Sequence, residues 1–214
     1  RGKPYDVRNV EIMAFIAAMM AWGNRKAIIK DIQKVVDMMA DRNPIDWIMN
    51  RGYLEIDNET CLHRTLKGRE FKGAMNKMYD IYRRFGSMEI YLHSIGCKEV
   101  QVALVVLGSV VFQGCKLGSN DKSAFKRLNM AFRWLVRDNL PDLGVWRRYK
   151  PKDLYIPLDV HVGNQARLLG LTKRRTMDWT TVQEITSILR EFSENDPIRY
   201  DLALFQIGID SKTK

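Results

Sequence analysis

Much of the usual chemical hardware is missing from this 214-residue chain. Its cysteines, Cys61, Cys97 and Cys115, are odd in number, far apart and without a Cys-x-x-Cys pair. That argues against a zinc ribbon or a four-cysteine iron–sulfur cluster and fits a reduced, cytoplasmic setting. The histidines, His63, His93 and His161, are scattered too, with no HxxxH or HExxH spacing. No metal ligand set and no cofactor are therefore expected. The most apolar run, VALVVLGSVVF at 102–112, falls short of the ~20 residues a membrane helix needs, so no membrane is expected. The start, RGKPYDVRNVEIMAF, lacks the basic region, apolar stretch and cleavage site of a signal peptide. It reads as an interior start, with a further N-terminal segment ahead of it. There are no repeats and no low-complexity tracts.

What is present is core-forming residues and positive charge. The composition is 46% hydrophobic and 28% charged, enough for one large domain or two small ones and unlike a disordered chain. The formal net charge is +10. Lys116–Lys152 holds ten Lys/Arg against three acids, Asp121, Asp138 and Asp142, so most of the excess lies in one region. Clustered cations are the footprint of a phosphate-rich partner, though they also serve as a solvated face.

Helical patterns dominate. Residues 10–22 are Ala- and Met-rich without Gly or Pro, and Gly23-Asn24 marks a stop. Ile28, Ile29, Ile32, Val35, Val36 and Met39 recur at helical spacing over 25–40. Asn43-Pro44 opens a short helix, 51–60 is a polar loop, and Phe71, Met75, Met78, Ile81 and Tyr82 make a stripe over 69–85. Residues 98–112 read as a buried helix or a buried strand, with length favouring the helix. In AFKRLNMAFRWLVR (124–137), Leu128, Ala131, Phe132 and Leu135 form one face, while Lys126, Arg133 and Arg137 stack on another. In YIPLDVHVGNQARLLG (155–170), Asp159 precedes a helix that Gly170 closes. Asp178 can cap a helix over 179–191, and Asp196-Pro197 starts a last one. The expectation is an all-α protein of nine or ten helices.

Two segments, GSNDKSAFKRLNMAFRWLVR and YIPLDVHVGNQARLLGL, together resemble the helix–hairpin–helix DNA glycosylase superfamily, the endonuclease III-like proteins. Leu158-Asp159-Val160-His161 is similar to that superfamily's segment holding a catalytic Asp, and Lys126-Arg127-Leu128-Asn129 to its Lys-x-x-Asn. Where the superfamily's hairpin brackets one residue with two glycines, Gly118-Ser119-Asn120 offers Gly then Asn, a degenerate hairpin. Lys122 fits a second alignment of the lysine. The chain is similar throughout to an uncharacterised bacterial, glycosylase-related family, through AWGNR (21–25), HRTLKG (63–68), KRLNMAFRWLVR, DLGVW (142–146), PLDVHV (157–162) and DPIRYDLALFQIGI (196–209).

The resemblance implies two helical subdomains with a cleft between them: residues 10–138, ending in the hairpin and basic helix, and residues 139–214, carrying Asp159 and completed by residues 1–9. It implies a monomeric DNA-binding protein, which flips out and excises a damaged base in base excision repair. A hydrolase acting at the bacterial nucleoid is the expected setting, and a non-catalytic DNA or RNA binder is the alternative. Breaking an N-glycosidic bond gives the sugar oxocarbenium character, which a carboxylate stabilises. Asp159 suits that role, since N–H donors and the helix dipole at an N-cap favour the ionised form, although most capping Asp residues only cap. Lys126 is either a Schiff-base nucleophile with AP-lyase activity or a phosphate contact. Lys122, Arg127, Arg133, Arg137, Arg147, Arg148 and His161 are expected to hold nucleic acid. Trp22, Trp134 and Trp146 are candidates for stacking on a flipped base, with Trp179 as a further aromatic. His63-Arg64-Thr65 forms either a surface turn or a second pocket wall.

Overall fold

A computed structural model describes residues 6–118, 120 and 122–210. The protein is all-α. Among the described residues there are ten α-helices: α1 (Val7–Met20), α2 (Arg25–Met38), α3 (Pro44–Met49), α4 (Gly68–Phe85), α5 (Met88–Ser94), α6 (Val100–Val106), α7 (Lys126–Val136), α8 (Val160–Leu168), α9 (Trp179–Phe192) and α10 (Asp201–Asp210). A small antiparallel hairpin, β1 (Cys61–His63) and β2 (Leu66–Lys67), interrupts them. No described helix is long and apolar enough to cross a membrane.

The helix starts follow their capping residues. Asp6, Asn24, Asn43, Ser87, Asp159 and Asp178 each accept a backbone N–H from the first turn of the helix that follows. Asp196 departs from this expectation. Its carboxylate turns to Arg137, Pro197–Tyr200 forms a 3₁₀ turn, and α10 begins only at Asp201. The segment at 98–112 is helical, but α6 passes into a π turn over Leu107–Val111, with Phe112 N–H reaching Leu107 O at 2.8 Å. At that turn Gly108 lies directly against the chain after it. A Cβ on Gly108 would be 1.8 Å from Gly118 O, so only glycine fits. Of the degenerate hairpin, Gly118 takes a positive φ of 105°, and Ser119 lies outside the described residues.

The buried apolar side chains make one cluster that includes both chain halves. α1 packs along α7, and the aromatic rings of Phe15, Phe132, Trp146 and Tyr149 meet beneath them. Inside this core Glu11 is 1% exposed. Its carboxylate accepts from Tyr82 Oη, Ser87 Oγ, Trp146 Nε1 and the N–H groups of Met88 and Glu89. Burial still raises its pKa above the ordinary carboxylate value. The other extensive pairing is α8 against α10. Gly208 makes it close, since a Cβ there would sit 2.9 Å from the His161 Cβ. This contact seats the later part of α10 on the start of α8, next to Asp159.

Candidate functional site

α7 starts abruptly. Phe125, buried at 2% exposure, takes a left-handed conformation with φ of 47°. The chain therefore turns sharply into α7, and Lys126 becomes its first residue. The Asn129 side chain steadies this turn by donating to Ala124 O at 3.1 Å. Across the gap, Asp159 is extended at φ −127° and closes α8 with Oδ1, which accepts from Val162 N–H at 2.9 Å. Its other oxygen, Oδ2, lies 3.2 Å from Lys126 Nζ. The lysine side chain is 34% exposed and the aspartate side chain 13%, so the pair is open to solvent from one side.

The pair stands where two hollows meet. The larger is a cleft of about 780 Å³, walled by the end of α1, by α2, α7, the start of α8 and α10. Trp22, Arg25, Ile28, Trp134, His161 and Phe205 are among its lining residues. The smaller is a recess of about 160 Å³ behind Asp159, reached past Lys126, Met130 and Trp134 and bounded by Arg133, Pro157 and Asp201. A cavity near 150 Å³ holds one benzene-sized ring.

Trp22 and Trp134, the sequence candidates for base stacking, both line the cleft. Trp22 is fixed from several directions. The Arg64 guanidinium lies 4.2 Å over its ring, and the His63 ring meets it edge-on at 6.0 Å. His63 is buried and bridges Trp22 O and the Asp31 carboxylate, each at 2.8 Å. The turn His63-Arg64 thus backs the pocket wall. Trp146 does not belong to the site. It is 2% exposed in the core, with its indole N–H given to Glu11. Trp179 is also buried, against Phe125 and Tyr155.

The basic residues divide. Arg133 and Arg137 are 4% and 7% exposed, and their guanidinium groups are committed inward. Arg133 donates to Asp142 at 3.1 Å and to Asp201, while Arg137 donates to Asp142 and to Asp196. Their assignment as nucleic-acid contacts is therefore corrected: the helical spacing that aligns them with Lys126 points them at internal carboxylates. Arg127 is corrected likewise. It donates to Met19 O at 2.8 Å and to Lys116 O, and burial pushes its pKa down to about 10. Lys122, Arg147 and Arg148 are exposed but do not line the cleft or the recess. Arg147 and Arg148 give their backbone N–H groups to Glu89. His161 lines the cleft, and its Nδ1 lies 3.0 Å from Gly208 O. Between Lys122 and Lys126, only Lys126 meets Asp159.

Sequence reasoning missed several lining residues. Arg25, on α2, and Met130, Pro157, Phe205 and Asp201 all face the hollows. Asp201 sat inside the DPIRYD segment without an assigned role, and no short-range spacing ties it to Asp159. Asp201 is 6% exposed, and burial, partly offset by Arg133, raises its pKa to about 6.

The fold and site define an all-helical protein with a capped carboxylate and a lysine paired at the mouth of an aromatic-walled recess. The chain belongs to a family described as "Protein of unknown function (DUF2400)", whose model matches residues 3–210. No curated protein and no solved structure matches it.

Proposed function

We propose that the protein is a DNA-binding, glycosylase-like enzyme that takes a damaged base out of the duplex and excises it. The observation that carries this reading is the Lys126–Asp159 pair, 3.2 Å apart, at the junction of an open cleft and a single-ring recess. A base inside a duplex cannot be reached, so the target nucleotide turns outward into such a pocket, where aromatic rings stack on it. Trp134 borders both hollows and Trp22 walls the outer one. As the base leaves, positive charge grows on the sugar, and the Asp159 carboxylate stabilises it. The α8 cap keeps one oxygen of that carboxylate in place and leaves the other turned to Lys126. The nucleophile that completes the reaction is water or the Lys126 amine. The amine route forms a Schiff base and permits strand cleavage.

Asp159→Asn tests the reading, because Asn is an equally good N-cap. The variant is expected to melt as the wild type does and to bind duplex as tightly. Base release from a panel of damaged duplexes should fall by ~10²–10⁴-fold. Release at the wild-type rate would overturn the assignment. Duplex binding by a wild type that releases no base from any lesion would leave a nucleic-acid binder without catalysis.

A further inference from the structure

The recess has a second carboxyl group that the proposed reaction has not used. Asp201 opens α10 and borders the recess together with Lys126, Asp159 and Arg133. It ends a chain of charges: Asp201 to Arg133, Arg133 to Asp142, Asp142 to Arg137, and Arg137 to Asp196. Three carboxylates share two guanidinium groups. Asp142 is fully enclosed and held by both arginines, and Asp196 is partly solvated. Asp201 combines burial with one arginine partner, and Asp142 and Asp159 both oppose its negative charge. The charged groups around it are Arg133 and Lys126 on α7, Asp142 in the following loop and Asp159 at the start of α8. His161 on the same helix meets α10 further along, at Gly208. Of the three carboxyl groups in this network, Asp201 is the one that borders the recess.

We infer that Asp201 is the acid that protonates the departing base, so that two carboxyl groups divide the reaction between sugar and base. This inference rests on the proposed base-excision reading. As the C1′–N bond breaks, its electron pair goes to the base and the Asp201 proton follows onto the base. The nucleophile, water or the Lys126 amine once its ammonium has released a proton to solvent, adds to C1′ and gives a proton to Asp159. Base, sugar, both carboxyl groups and solvent then account for every proton. Asp201 is left as a carboxylate beside Arg133. Its pKa of about 6 lies near working pH, where an acid delivers protons most effectively.

The inference separates substrates by leaving group. A neutral single-ring base such as uracil leaves more readily once protonated, whereas 3-methylcytosine is already cationic near neutral pH and gains nothing from an acid. Single-turnover base release should be measured on duplexes carrying each, across pH 5 to 8, for wild type and Asp201→Asn. For the wild type, release of uracil should rise as pH falls toward about 6, while release of 3-methylcytosine should lack that dependence. In Asp201→Asn, uracil release should fall by ~10²-fold or more and lose the pH dependence. Its release of 3-methylcytosine should fall far less than its release of uracil, because no acid is needed there. Equal loss on both classes, or the same pH profile in the variant, would overturn the role of Asp201 and leave excision itself standing. The wild-type profiles decide the matter alone if the variant does not fold: parallel curves for the two classes overturn it. A wild type inactive on every duplex overturns the excision reading and this role with it.

Discussion

At the scale of single residues, the site depends on which charges face each other. Lys126 and Asp159 make an ion pair that is neither fully exposed nor sealed. If Lys126 attacks the sugar, borohydride should trap a covalent adduct with a damaged duplex, visible as a protein–DNA band on a denaturing gel. Lys126→Ala should give none, and an adduct that survives the substitution would move the nucleophile elsewhere. Asp201 makes a separate prediction about stability. Its pKa is raised from 3.8 to about 6 in the folded chain, so folding favours its protonated form. That stabilisation is complete below 3.8 and is lost as pH rises through about 6. Thermal melts should show a downward slope with pH across that window, and Asp201→Asn should flatten it. An unchanged slope would show that the carboxyl titrates alike folded and unfolded.

At the scale of elements, two contacts hold the helices that carry the site. Glu11 joins α1 to Tyr82 on α4, to the start of α5 and to Trp146 through five donors. A glutamine can offer only one acceptor oxygen, so Glu11→Gln leaves buried donors unpaired. The expected loss is about 1–3 kcal/mol, read from urea denaturation, and a neutral result would mean that water takes up the freed donors. Gly108 lets the π turn lie against Gly118 just before α7. An alanine gains at most about 1 kcal/mol of helix propensity, but its Cβ would collide with a backbone carbonyl. Overpacking costs about 1–3 kcal/mol or more, so Gly108→Ala should destabilise. Much at this scale was legible beforehand. Asp159 and Asp178 cap where their side-chain chemistry predicts, while Asn24, read from the sequence only as a stop, also caps α2. The hairpin at 61–67 and the seven-residue α5 were not anticipated, because elements so short leave little periodicity to read.

At the scale of the whole molecule, the positive charge is distributed differently from its clustering along the chain. Arg127, Arg133 and Arg137 are spent on internal partners, while Arg25 and Arg64 stand at the cleft through α2 and the hairpin turn. If DNA lies across this rim, duplex affinity should fall linearly in log–log form with salt. Arg25→Ala or Arg64→Ala should each reduce the slope by about 0.9. A slope that neither substitution changes would place the phosphate track elsewhere. The sequence by itself determined the all-α class, the main helices, and the pairing of Asp159 with a cap, because capping and helical periodicity act within a few residues. Only the tertiary structure decided that Lys126 rather than Lys122 meets Asp159, that Trp146 is core, and that Asp201 closes the recess. Those outcomes depend on contacts between distant segments: a buried arginine and a phosphate-binding one share the same residue type and the same helical spacing, and differ only in whether a carboxylate from 142, 196 or 201 has folded over them.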